Sequence, residues 1–282
     1  MKVLLINIDS KIPNLALKKI EKYHLDNGDN VEWDFPLMAH QANRIYVSCV
    51  FEHNRDLCKQ WEDIAFIGGS GYDIKKKLPD ILENVKPHIN LGFTTRGCIR
   101  NCKFCIVPQK EGKIRVVGDL LDLWDGKSKD VVLLDNNILA LPEHFKMICK
   151  QAKDNKIRLD FNQGLDCRLL NQDMVDDLKS IRHTELHFAW DDLKYEKDVV
   201  KAIELLQKNG INRCTWLMLT GFNTTIEEDI YRAKYLKSRN QNAYVMRYNF
   251  SKRKDLIPLS RWVNNRAWFQ AISWEKFLEI NY

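Results

Sequence analysis

The sequence contains no apolar run that approaches the roughly 20 residues of a transmembrane helix, so no membrane span is predicted. The first residues contain a lysine, Lys2, and a short apolar run, but Asp9 follows at once and no small-residue cleavage site appears. We interpret this start as a first strand and not as a signal peptide. We therefore expect a cytoplasmic protein with no membrane partner.

Cysteine is too sparse for a disulfide scaffold, because eight cysteines are spread over 282 residues. In a reducing compartment a tight cysteine cluster indicates metal or redox chemistry, and three cysteines between residues 98 and 105 form such a cluster. The other five are scattered, and we expect them to be small buried hydrophobic residues. These five are Cys49, Cys58, Cys149, Cys167 and Cys214.

Strand and helix patterns alternate over residues 1–87, which predicts a small open α/β domain of Rossmann-like type. Pro87 marks its expected boundary. The predicted strands are Lys2–Asp9, Arg44–Phe51 and Asp63–Ile67, and the predicted helices are Asn14–His24 and Leu78–Val85.

From residue 88 the alternation repeats six times, which predicts βαβ units and a parallel sheet. Six repeats are too few for a closed eight-fold barrel, so we expect a partial (βα)6 TIM-like barrel over residues 88–250 and a basic, aromatic helical extension over 251–282. The predicted strands are Asn90–Thr94, Val131–Leu134, Arg158–Phe161, Glu185–Trp190, Cys214–Leu219 and Ala243–Arg247. The predicted helices are Gly118–Trp124, Pro142–Asp154, Asn171–Ser180, Glu196–Asn209 and Ile226–Ser238.

The cysteines follow the first of these strands with the spacing C-x3-C-x2-C, at Cys98, Cys102 and Cys105. This spacing allows one loop to present three thiolates to three irons of a cube-shaped cluster, which leaves the fourth iron open. Arg96, Arg100 and Lys103 favour thiolates and an anionic cluster. A zinc site is the alternative, but zinc takes four ligands and no second cysteine pair follows. A disulfide within the loop would leave an odd cysteine.

The motif, with aromatic Phe104 before Cys105, resembles the signature of the radical S-adenosylmethionine superfamily over roughly residues 88–250. The resemblance implies a 4Fe–4S cluster held by the three cysteines. It also implies reductive cleavage of S-adenosylmethionine to methionine and a 5′-deoxyadenosyl radical that modifies a substrate, with an electron donor of flavodoxin or ferredoxin type. Within the superfamily, the preceding α/β domain resembles that of the cobalamin-domain and methylthiotransferase branch.

The resemblance also implies contacts to S-adenosylmethionine from polar residues after successive strands. Asn136 and Asn137 would receive its amino group, Asp191 would bond its ribose, and Thr220 and Gly221 would contact its adenine. Gln163, Asp166 and Arg168 could all reach the mouth of the barrel, where the planar guanidinium of Arg168 suits the methionine carboxylate or an acidic substrate. Each has a structural alternative: an ordinary turn at Asp135-Asn136-Asn137, an Asp166–Arg168 salt bridge, or a helix cap at Asp191. Arg247 and Asn249, after the sixth strand, could face the substrate.

The first domain departs from the pattern of that branch. It has no D-x-H-x-x-G motif, because Asp34 and His40 are too far apart, so cobalamin is not expected. Methylthiotransferases place three cluster-binding cysteines in this domain, whereas only Cys49 and Cys58 are present, so a second cluster is not expected either. We interpret the domain as a reduced remnant that packs on the barrel or helps to admit substrate.

The formal net charge is only +6, but basic residues concentrate between Arg232 and Arg266, where ten of them accompany a single acid, Asp255. Tyrosine, phenylalanine and tryptophan interleave with them, a mixture that can grip a phosphate backbone and stack on bases. This favours a nucleotide or nucleic-acid substrate. The alternatives are a peptide or small-metabolite substrate, or a non-catalytic iron–sulfur or zinc protein that binds nucleic acid.

Overall fold

The computed structural model describes residues 1–248 and 253–282. It is a mixed α/β structure with parallel sheets, as the sequence predicts. The chain divides into two compact units. The first contains residues 1–92, 106–112 and 121–127, and the second contains the rest of the described chain. No helix among the described residues is both long enough and apolar enough to cross a membrane.

The first unit is built on a four-stranded parallel sheet in the order β2-β1-β3-β4. Both faces of its central strands are buried, as is typical of parallel sheets covered on two sides. Leu4 and Ile6 pack with Ile45 and Val47 on one face, and Val3 and Leu5 pack against α1 on the other. The strands are β1 (Lys2–Asn7), β2 (Asn30–Trp33), β3 (Arg44–Ser48), β4 (Phe66–Gly68) and β5 (Leu91–Gly92), and the helices are α1 (Leu15–Asp26), α2 (Asp80–Glu83) and α3 (Val107–Lys110).

The prediction for this unit is confirmed for β1, α1 and β3, with shifted ends. The sequence does not predict edge strand β2, because this strand is four residues long and half polar. The strand predicted from Asp63 begins only at Phe66, because Ile64 and Ala65 donate backbone hydrogen bonds to Trp61 in a turn. The predicted helix Leu78–Val85 shortens to α2.

The second unit contains two sets of parallel strands. β8, β9 and β10 pair in one set, and β11, β12 and β13 pair in the other. A parallel bridge between Leu165 and Phe188 pairs the segment that follows β9 with β11. Successive strands of the chain therefore lie side by side. The strands are β6 (Thr95–Arg96), β7 (Arg115–Val116), β8 (Asp130–Leu133), β9 (Arg158–Phe161), β10 (Arg182–His183), β11 (His187–Ala189), β12 (Thr215–Thr220) and β13 (Asn242–Arg247).

Helices cover these strands and extend beyond them. They are α4 (Pro142–Asp154), α5 (Gln172–Ser180), α6 (Glu196–Lys208), α7 (Ile226–Ser238), α8 (Leu256–Asn264), α9 (Arg266–Ala271) and α10 (Trp274–Asn281). The last three lie within the predicted helical extension over residues 251–282. Asn264 of α8 accepts a hydrogen bond from the Val245 amide at 2.7 Å and donates to its carbonyl at 3.1 Å. This side chain therefore satisfies backbone groups of β13 as a further strand would.

The prediction of a helix over Gly118–Trp124 is wrong. Its backbone amides find tertiary partners instead of helical ones: the Gly118 amide donates to the Thr94 carbonyl, and the Leu120 amide donates to Gln151 Oε1 at 3.0 Å. The strand predicted over Asn90–Thr94 is present but shorter. Only β5 lies within it, and the chain then forms β6, which pairs antiparallel with β7.

Candidate functional site

The loop that carries Cys98, Cys102 and Cys105 directly follows β6, and all three cysteines are half-buried. The Cys105 amide donates to the Cys102 carbonyl at 3.0 Å, which closes a tight turn between these two cysteines. Within the described residues, no three His, Cys, Asp or Glu side chains converge on a point where one metal ion could sit. In a cube-shaped cluster each thiolate binds a different iron, so cluster cysteines do not share such a point.

Asp135, which follows β8, holds the segment that leads into the cysteine loop. This buried carboxylate accepts hydrogen bonds from the backbone amides and hydroxyls of both Thr94 and Thr95, among them Thr94 Oγ1 at 2.8 Å. His144 Nε2 lies 3.0 Å from the same Thr94 hydroxyl. Burial raises the pKa of Asp135, and the bonds from the two threonines lower it again only in part.

The next two residues contact the loop itself. Asn136 Oδ1 accepts the Gly97 amide at 3.0 Å, so this side-chain oxygen already serves the loop. Asn137 Nδ2 donates to Cys98 Sγ at 3.4 Å and to Asp166 Oδ2 at 3.2 Å. The carboxylate can only accept, which fixes the orientation of the amide. Asn137 is 4% exposed, and its buried Oδ1 has no hydrogen-bond partner within the described residues.

Asp166, after β9, joins three segments of the chain. Its carboxylate accepts from Arg100 Nε at 3.0 Å, from Arg168 Nε at 2.6 Å, and from the Asn137 amide described above. Arg168 adds a second bond, from Nη2 at 3.0 Å, and its guanidinium lies 4.5 Å from the centroid of the Tyr195 ring. Burial raises the pKa of Asp166, but the two guanidiniums outweigh it and hold the pKa below its ordinary value.

The structure places Arg168 and Gln163 in different surroundings, and the carboxylate contact of Arg168 stays a prediction. Arg168 forms the Asp166 salt bridge that is the structural alternative, so two of its nitrogens are already engaged. Gln163 lies exposed in the turn after β9, and the structure does not bring it into the network around Asp166.

The far side of the cysteine loop meets the ends of β12 and β13 through aromatic rings. Phe104 packs edge-on against Phe222 with a centroid separation of 5.6 Å, and Phe222 packs against Tyr248 at 4.8 Å. The predicted adenine contacts come directly before Phe222. Thr220 is buried, with its hydroxyl 3.4 Å from the Met246 carbonyl, and Gly221 adopts φ +78°.

Asp191, the predicted ribose contact, follows β11 and accepts the Leu219 amide at 3.2 Å. Burial is the main cause that raises its pKa. The helix cap that was the structural alternative for Asp191 is formed by the next residue, because Asp192 Oδ1 accepts the Lys194 amide at 3.0 Å. Behind them, the fully buried Arg232 pairs with Asp229 and donates to the carbonyls of Trp190 and Leu219, which ties the ends of β11 and β12 together.

Several of the groups around the loop affect the pKa of the Cys102 thiol. Burial is the largest cause that raises the pKa of its thiol, and the charge of Arg168 opposes it. The neighbouring Cys105, Asp191 and Cys98 raise it further. The metal-free thiol therefore keeps its proton at neutral pH, and binding of a metal must release that proton.

Sequence reasoning missed two polar side chains within the strands of this unit. Asp160 on β9 and His187 on β11 each bury a polar atom, Oδ1 and Nδ1 respectively, for which the described residues provide no hydrogen-bond partner. The signal in the sequence is a polar residue next to the apolar residues of a strand. Arg247 ends β13 and is half-buried, whereas Asn249 lies outside the described residues.

The basic segment between Arg232 and Arg266 is less exposed and less positive than its sequence suggests. Arg232 is fully buried, and Trp262 packs in the core among α8, α9 and α10. Acidic residues pair with several of the cations: Asp229 with Arg232, Glu275 with Lys234, Glu204 with Arg239, Asp255 with Arg253, and Glu185 with Arg266. The nucleic-acid substrate stays a prediction. The prediction that the five scattered cysteines are buried is confirmed.

Comparison of the chain with models of known protein families and with curated proteins found no match.

Proposed function

We propose that this chain is a radical S-adenosylmethionine enzyme, in which Cys98, Cys102 and Cys105 hold a 4Fe–4S cluster. The parallel strands of the second unit would then form the partial (βα)6 barrel, with a Rossmann-like domain before it. In the proposed reaction the reduced cluster supplies the electron that cleaves S-adenosylmethionine to methionine and a 5′-deoxyadenosyl radical. We further propose a cytoplasmic location and an electron donor of flavodoxin or ferredoxin type.

The observation that carries the proposal is the amide of Asn137. Its nitrogen donates to Cys98 Sγ, and its buried oxygen is an acceptor without a partner in the described chain. An unmet buried acceptor costs about 1–3 kcal/mol, so it is retained most readily where a ligand supplies the donor. The amino group of a bound methionine moiety is such a donor, and it would lie next to the cluster.

The residues around the three thiols also suit an anionic cluster. The backbone amide of Arg100 lies 3.3 Å from Cys98 Sγ, so this sulfur accepts two N–H groups together with the one from Asn137. Hydrogen bonds to the sulfurs are one of the means by which proteins set the potential of an iron–sulfur cluster. Two guanidiniums, of Arg100 and Arg168, share the single carboxylate of Asp166, so this group of three side chains carries one net positive charge.

Polar residues at the ends of two strands would bind the rest of S-adenosylmethionine. Asp191 after β11 and the Thr220-Gly221 turn at the end of β12 lie on adjacent strands, where they would hold the ribose and the adenine. The aromatic contact of Phe104 with Phe222 covers one side of the loop and would keep water away from the reacting atoms.

Anaerobic reconstitution of the full chain with iron and sulfide tests the metal centre. We expect iron and sulfide in equal amounts, with the broad visible absorption of a 4Fe–4S cluster, and loss of both in the Cys102→Ala variant. The Cys149→Ala variant is the matched control, since Cys149 is a buried cysteine on α4. Unchanged cluster content in Cys102→Ala, or zinc in place of iron, would overturn the proposal.

A further inference from the structure

Asp166 is a buried carboxylate whose contacts reach the cysteine loop from two directions. Through Arg100 it holds the stretch between Cys98 and Cys102, and through Asn137 it holds the side chain that donates to Cys98 Sγ. The side chain of Asp166 is only 7% exposed, so these bonds form in surroundings where an unpaired charge is costly.

We propose that Asp166 is a positioning residue that orders the cysteine loop before any metal binds and sets the charge beside the cluster. It acts through the three side chains that it fixes, those of Arg100, Arg168 and Asn137. The ordering holds for the metal-free chain, whereas the charge effect rests on the proposed function.

Hydrogen bonds from Arg168 fix the Asp166 carboxylate in place. Arg168 offers two nitrogens to the two carboxylate oxygens, and the Arg168 amide also donates to Oδ1 at 3.2 Å, so the carboxylate is held firmly by its own segment. Arg100 and Asn137 then bind to an anchor that is already fixed. A side chain held in this way loses little further entropy when it binds a partner.

The charge effect has a defined sign. Asp166 supplies one negative charge against two guanidiniums. Replacing it with the neutral, similarly shaped asparagine leaves both cations uncompensated. Reduction adds an electron to the cluster, and nearby positive charge stabilises the reduced form. The midpoint potential should therefore become more positive in Asp166→Asn, and Asp166→Glu, which restores the charge, should return it toward the wild-type value.

Hydrogen exchange measured by mass spectrometry on the metal-free full chain tests the ordering. We expect peptides covering residues 96–105 to exchange at least several-fold faster in Asp166→Asn than in the wild type, with exchange unchanged outside this loop and the segments that contain Asp166, Arg168 and Asn137. The matched control is Asp130→Asn, because Asp130 also pairs with an arginine, Arg158, but is 55% exposed at the start of β8. Equal exchange of residues 96–105 in Asp166→Asn and wild type would refute the positioning role.

A redox titration of the reconstituted protein tests the charge effect. A more positive potential in Asp166→Asn with recovery in Asp166→Glu supports it, and an unchanged potential overturns it. If the wild type assembles no cluster, the proposed function and the charge effect fall together, while the exchange experiment still decides whether Asp166 orders the loop.

Discussion

At the residue scale, the sulfur of Cys98 is distinguished by its two N–H neighbours, the Arg100 amide and the Asn137 side chain. Asn137→Leu keeps the volume but removes one of these donors together with the unpartnered oxygen. We expect the cluster potential to become more negative, because the reduced cluster loses a hydrogen bond to sulfur, and we expect weaker binding of S-adenosylmethionine.

Redox titration and equilibrium dialysis with S-adenosylmethionine measure these two effects. The control is Asn155→Leu, because Asn155 caps the far end of α4 with a bond to the Gln151 carbonyl at 2.8 Å. If Asn137→Leu shows the wild-type potential and affinity, Asn137 has no part in the site.

The glycine turn after β4 packs closely against the backbone of Cys49. Gly69 has φ +99°, and a Cβ at this position would lie 2.1 Å from the Cys49 carbonyl oxygen. Gly69→Ala should therefore combine backbone strain with a clash against rigid backbone and cost at least about 2–3 kcal/mol of unfolding free energy.

Gly28→Ala provides the comparison. Gly28 has φ +77°, but no atom lies within 4 Å of the position that an alanine methyl group would take, so only the backbone strain of about 1 kcal/mol should appear. Urea denaturation measures both variants. Equal losses in the two would show that the close approach of Gly69 to Cys49 contributes nothing to stability.

At the element scale, Glu185 connects β12, β13 and α9. Its carboxylate accepts from Thr215 Oγ1 at 2.7 Å and Asn242 Nδ2 at 2.8 Å, and it pairs with Arg266. Burial raises the pKa of Glu185, but these three partners outweigh it and lower the pKa below its ordinary value of 4.5. The contribution of this carboxylate to stability is therefore present above pH 4.5 and lost as pH falls through the lowered pKa.

Glu185→Gln should be less stable than the wild type by a margin that is constant near neutral pH and shrinks below pH 4.5. Denaturant titrations at a series of pH values measure this margin. A margin that stays the same down to the acid limit of folding would show that the ionised carboxylate is not the stabilising form.

Elements were predictable where local signals agree with packing. The sequence predicts both ends of α4 and of α7 as the structure has them. The first residue of each is marked by a local signal, a proline in α4 and the Thr225–Glu228 capping box in α7. The segment Gly118–Trp124 carries apolar residues at helical spacing, but its amides bond to Thr94 and Gln151, which are far away in sequence. Tertiary hydrogen bonds of this kind leave no local pattern.

At the scale of the whole molecule, the order of the strands brings residues that are distant in sequence to the cysteine loop. Because successive parallel strands lie side by side, residues after β8, β9 and β12 contact one loop. The sequence predicts this gathering from the alternation of strands and helices. It does not predict that Asp135 and Asp166 hold the loop, because each bonds to partners from other segments, Thr94 and Arg100 among them.

We propose that one iron of a cluster held by the three cysteines is left open for S-adenosylmethionine. Chromatographic measurement of 5′-deoxyadenosine, after the anaerobic holoprotein is mixed with S-adenosylmethionine and a strong reductant, tests it most directly. We expect 5′-deoxyadenosine to form with the wild-type protein and to fall to background with Cys98→Ala. A cluster-loaded, reduced wild-type protein that leaves S-adenosylmethionine intact would contradict it.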